Sequence, residues 1–151
     1  MKEFGNRAFK GNDLHLGLDK YQKGIRYLNE EPSLDNEPPE TKKELDQLRF
    51  TLNSNSALLA NKLKSYEDAL RYATAALEVA NITDVEKAKA LFRRGQAQVG
   101  LKDEDAALAD LTEADKLVPG DVAVVKELTA VKKGAAERAK KEKAAYSKFF
   151  S

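Results

Sequence analysis

Two amphipathic stretches stand out along this chain, one from about Val85 to Leu101 and the next from about Glu104 to Leu117, with apolar residues returning at helical spacing. The break between them, Gly100 to Asp103, and the closing Pro119-Gly120 carry helix-stopping residues. The pair reads as a helical hairpin of about 34 residues. Proline occurs only at 32, 38, 39 and 119, and Ala, Leu, Lys and Glu fill the long stretches between. That composition predicts helix nearly throughout and leaves strands no obvious place.

Small residues repeat at one internal spacing. Gly95, Ala107 and Ala114 are separated by 12 and 7 residues, as are Ala57, Ala69 and Ala76, and as are Gly5, Gly17 and Gly24. A bulky side chain at any of these positions would push apart the two helices of a hairpin, so the spacing predicts three stacked copies. Each copy alone exposes an apolar face that stacking buries. The expected organisation is three hairpins over residues 1–120, at about 1–30, 41–82 and 84–120, followed by a C-terminal extension helix over 121–151. Residues 29–41 hold five acidic and three proline residues and no basic one, which reads as an acidic loop, with the next helix starting near Thr41. The last helix is expected from near Asp121, with Val124, Leu128 and Val131 capping the open end of the array. From Lys132 to Lys148 it carries seven basic and two acidic residues, then ends in Tyr146, Phe149 and Phe150, and this half is expected to project into solvent.

Composition mostly excludes. The 26 basic and 25 acidic residues cancel, so no overall field favours nucleic acid and any electrostatic role must be local. Without cysteine there is no disulfide scaffold, thiolate zinc site or cysteine nucleophile, which suits a reducing compartment: cytoplasmic, with the nucleus also allowed. No stretch approaches the roughly 20 apolar residues that cross a bilayer, so a soluble chain without membrane contact is expected. The single histidine, His15, cannot build a metal cluster and reads as structural or surface. The glycines follow the repeat instead of forming a phosphate loop, and the carboxylates sit among lysines on solvated faces. No catalytic residue, cofactor or metal is expected.

What remains is a set of polar residues at related positions on the first helix of each hairpin, the helix that lines the concave face of such an array. Lys2, Asn6 and Phe9 follow i, i+4, i+7 spacing; Lys89 and Arg93 are i, i+4; Asn55 lies on the middle helix with Leu58 and Lys62 continuing its face. Two adjacent cations cost an isolated helix a few tenths of a kcal/mol, so their pairing hints that an anion completes the site. Cations neutralise carboxylates and amides bond carboxylate and peptide backbone, which suits an extended acidic C-terminal tail.

The segments Lys2–Asn6, Leu52–Ala57 and Lys89–Gly95 resemble the carboxylate-clamp motifs of co-chaperone tetratricopeptide-repeat domains, and Ala106–Leu111 and Lys141–Phe150 resemble the large immunophilins of the cyclophilin 40 type. The likeness covers essentially the whole chain. It implies an all-α fold, three tetratricopeptide hairpins stacked as a right-handed solenoid plus a long C-terminal capping helix. It implies further that Lys2, Asn6, Asn55, Lys89 and Arg93 clamp the terminal Asp of an EEVD-type tail, with Phe9, Leu58 and Lys62 auxiliary in the groove. The implied partner is heat-shock protein 90, with heat-shock protein 70 sharing the ending. The prolyl-isomerase domain of that family has no counterpart in these residues, so a non-enzymatic fragment is expected. Two rivals use other chemistry: the basic C-terminal helix as a calmodulin- or acidic-surface-binding element, and a groove for a non-chaperone peptide.

Overall fold

A computed structural model describes residues 13–150. Among them are six α-helices: α1 (Asp13–Glu30), α2 (Pro39–Lys62), α3 (Tyr66–Leu77), α4 (Asp84–Gly100), α5 (Glu104–Leu117) and α6 (Val122–Phe149), with a 3-10 turn at Pro32–Asn36. Each helix packs chiefly on its sequence neighbours, and α2 also meets α4, which is the contact pattern of stacked hairpins.

Local chemistry explains where the helices begin and end. Thr83 and Glu86 form a reciprocal capping box on α4, at 3.1 and 3.0 Å. Asp121 caps α6 by accepting from the Val124 N–H at 3.1 Å. The α2–α3 and α4–α5 turns are the same structure twice. In the first, the Ser65 N–H donates to the Ala60 carbonyl and the Lys64 N–H to that of Asn61; in the second, Asp103 donates to Gln98 and Lys102 to Val99. Both are Schellman closures, and Lys64 and Lys102 stand at φ 60° and 63° where glycine is commoner.

The repeated small residues lie where the hairpins close. Ala57, Ala69, Ala76, Ala107 and Ala114 are wholly buried, and a Cβ on Gly95 would stand 2.9 Å from Leu111. Stacking between hairpins is equally tight: a Cβ on Gly100 would stand 2.5 Å from the Tyr66 ring.

The acidic stretch is more ordered than the loop expected there. α1 runs on through Glu30, the Glu31 carboxylate accepts from the Ser33 N–H and hydroxyl to start the 3-10 turn, and α2 begins at Pro39 instead of Thr41. Proline at the first helical position has no N–H to lose and a φ already suited to a helix, so Pro39 starts α2 and does not delay it. In α6 only Val124 and Val131 are buried, with Leu128 half-buried. Arg138 pairs with Glu104 at the start of α5, one bond being 2.7 Å, and ties the middle of α6 to the array. No described helix is long and apolar enough to cross a membrane.

Candidate functional site on the concave face

A cavity of about 300 Å³ opens between α2, α4 and the first turn of α6. Its apolar wall includes Leu58, Ala88, Phe92, Val118 and Val124, and its polar edge carries Lys89, Arg93, Gln96 and Asp121. Lys89 and Arg93 share a face because they are one turn apart on α4; Lys89 is exposed, while Arg93 is only 9% exposed.

Arg93 is held from both sides. Its Nη1 donates to the Ser54 carbonyl at 2.6 Å and to the Ser54 hydroxyl at 2.8 Å, and its own carbonyl accepts from Asn61 Nδ2 at 2.9 Å. Among the described residues no carboxylate pairs with it; Asp121, on the same cavity edge, is the cap of α6. Burial therefore dominates and pushes the guanidinium down to about 10, opposed only by the neighbouring Tyr21. A desolvated cation with unused donors beside an apolar cavity favours an incoming anion.

Asn55 is half-buried on α2, one turn before Leu58, and its side chain makes no hydrogen bond among the described residues; it is not part of the cavity wall. Lys62 is exposed, a further turn beyond Leu58 and also outside the wall. The structure thus gathers Leu58, Lys89 and Arg93 at one cavity, with Asn55 nearby. Lys2, Asn6 and Phe9 lie outside the described residues. His15 is exposed on α1, and among the described residues no group of histidine and carboxylate side chains is arranged to hold a metal.

Sequence reasoning missed Ser54, Asn61 and the contribution of α6. One signal was present: Asn53 to Ser56 are four consecutive small polar residues in an otherwise apolar buried stretch, and each needs a reason. Asn53 and Ser56 bond carbonyls one turn back, at 2.9 and 2.7 Å, whereas Ser54 holds Arg93. Glu86, the nearest carboxylate on α4, is otherwise engaged: its bond from the Thr83 N–H, then one from Gln47 Nε2, holds it below the usual carboxylate range.

Stacked hairpins with buried small residues at a fixed spacing define a tetratricopeptide-repeat domain, and solved structures bear this out. The C-terminal TPR-containing domain of a Plasmodium falciparum protein described as FK506-binding superposes with a TM-score of 0.77 at 22% identity, over 92% of this chain and 88% of that one. The second TPR domain of the human RPAP3 protein, solved in complex with the HSP70 peptide SGPTIEEVD, superposes with a TM-score of 0.51 at 21% identity, over 79% of this chain and 98% of that one. By sequence the chain is 40% identical over 155 residues to Peptidyl-prolyl cis-trans isomerase D of Cryptococcus neoformans, a relative of the cyclophilin 40 type, and 39% identical over 151 residues to the protein of the same name in Kluyveromyces lactis. These matches take in 99% and 100% of the chain but only 41% and 40% of the relatives' lengths. The 151 residues are a repeat region, and an isomerase domain is not among them. No protein-family model matches the chain.

Proposed function

We propose that this domain is a co-chaperone adaptor that docks the acidic C-terminal tail of heat-shock protein 90. The carrying observation is Arg93, a buried guanidinium that no described carboxylate neutralises, set with Lys89 on the edge of an apolar cavity. In this reading Lys89 and Arg93 make charge-assisted bonds to the carboxylates of the terminal aspartate. Leu58 supports the preceding aliphatic side chain, and Asn55 offers its amide to the peptide end. Lys2, Asn6 and Phe9 supply the clamp's share from the first hairpin, and Lys62 borders the groove. The RPAP3 complex supports the class of ligand, since a domain of the same fold takes a peptide ending in EEVD; heat-shock protein 70, which shares that ending, is the second partner. The domain works by passive recognition in the cytoplasm, a preformed groove meeting an extended tail.

Calorimetric titration with a peptide ending Met-Glu-Glu-Val-Asp, beside the same peptide amidated at its terminus, tests this directly. The free acid is expected to bind and the amide to bind much more weakly, with salt weakening the interaction. Equal binding of both would remove the terminal carboxylate from the mechanism.

A further inference from the structure

The outer half of α6 takes no part in that docking, and its own chain does not cover it. Beyond Val131 its side chains are exposed, save a half-buried Ala135. It ends in Tyr146, Phe149 and Phe150, which are 68%, 82% and 67% exposed and cluster around Phe150 at centroid distances of 4.6 and 5.1 Å. Three large rings left in water at a helix tip form an apolar patch that a partner would bury favourably. The helix leading to them carries a net +5 between Lys132 and Lys148.

The complement lies at the other end of the array. Glu30 to Glu40 carries a net −5 with no basic residue. Against its 3-10 turn and α2 lies a cavity of about 340 Å³ whose walls include the apolar side chains of Leu34 and Leu45 and the carboxylates of Asp35 and Asp46. Lys42 and Arg49 also reach this cavity, but Arg49 is committed to Asp46 at 3.1 Å and to the Leu28 carbonyl at 3.0 Å. With Lys42 and Arg49 against Asp35 and Asp46 the cavity lining itself is balanced, and the negative excess lies along the neighbouring segment on Glu37 and Glu40. α6 packs on α5 and α4, far along the chain from this cavity.

We propose that a second copy of this chain is the occupant: the aromatic tip of one α6 seats against Leu34 and Leu45 of the next copy, and Lys140, Lys141 and Lys143 face its Asp35, Glu37 and Glu40. The rings meet Leu34 and Leu45, and segments of opposite net charge, 132–148 and 30–40, flank the contact. Head and tail are different surfaces, so each docking leaves one of each unused and the assembly grows as a row instead of closing as a symmetric pair. The contact does not use the concave cavity, and it stands whether or not the tail-docking function is correct.

Sedimentation of the intact chain over a wide concentration range tests it, using the wild type, a tail variant (K140E/K141E/K143E) and a head variant (D35K/E37K/E40K). At low salt the wild-type mass is expected to rise with concentration past that of two copies, and to return toward one at high salt. Each variant alone is expected to stay monomeric, because its reversed face meets a like-charged one, and an equimolar mixture to associate again, since the unchanged tail of one variant matches the unchanged head of the other and their reversed faces match each other. All substituted residues lie outside the core, so circular dichroism should confirm unchanged helix. A wild type that stays monomeric at low salt, or either variant associating alone as the wild type does, overturns the proposal.

Discussion

Arg93 and Arg94 are adjacent in sequence and opposite in circumstance. Arg94 turns into the third hairpin, where Nε and Nη2 bind the two oxygens of Asp110 at 2.6 and 2.9 Å; that hydrogen bonding raises its pKa above the ordinary arginine range. Arg93, about 100° around the same helix, turns to the concave side, meets a serine instead of a carboxylate, and is pushed the other way by burial. One cation belongs to a finished ion pair that fastens α4 to α5. The other has no carboxylate partner among the described residues. Two neighbouring arginines show why residue type alone does not locate a binding site: what separates a fastener from a receptor is whether the fold supplies the counter-charge.

The largest expected effect separates them by function. Arg93→Ala should weaken tail-peptide affinity by about 2–5 kcal/mol, the usual result of truncating one partner of a buried charge pair at an interface, while Arg94→Ala should leave affinity nearly unchanged in a domain that remains folded. Calorimetry on both variants checks this, and equal losses would erase the distinction. Next comes stability, where the order reverses. Asp110→Ala strands a part-buried guanidinium and should cost about 2 kcal/mol in urea unfolding. Arg93→Met gives up two hydrogen bonds to Ser54 but also removes an unpaired desolvated charge, so the empty domain should change by less than about 1 kcal/mol.

Much of this was legible before any coordinates, for a reason particular to repeats. The 12- and 7-residue spacing of small residues marks contacts inside each hairpin, so one periodic signal reports both helix pairing and stacking; Ala57, Ala69, Ala76, Gly95, Ala107 and Ala114 are all buried at those contacts. Lys89 and Arg93 were equally visible, because i, i+4 spacing fixes their common face. Partnership between helices has no local spacing. Nothing in Ser54 signals that it will meet Arg93, 39 positions away, and nothing in Val118 or Val124 says that the start of α6 will wall the cavity beside Phe92. The acidic stretch connects the helices as expected but holds a 3-10 turn, and the next helix begins two residues before Thr41, because Pro39 sits where a helix can begin.

The smallest effect concerns protons. In the empty domain burial lowers the Arg93 pKa to about 10, so the cost of keeping it charged is complete below that pH. As pH rises through about 10, the folded state sheds the proton before the unfolded chain does, and the cost is progressively relieved. A bound carboxylate works in the opposite direction, favouring the charged form. Tail binding near pH 10 should therefore draw a proton onto a half-charged Arg93, up to about half a proton per site by linkage, whereas near pH 7 the group is already charged and uptake at this site should vanish. Calorimetry in two buffers of different ionisation enthalpy measures this. Arg93→Met should abolish the uptake attributable to this residue, while Arg94→Met, whose parent is held charged by Asp110, should leave it in place. If uptake at pH 10 is the same in Arg93→Met as in the wild type, Arg93 is not the group whose charge the ligand completes.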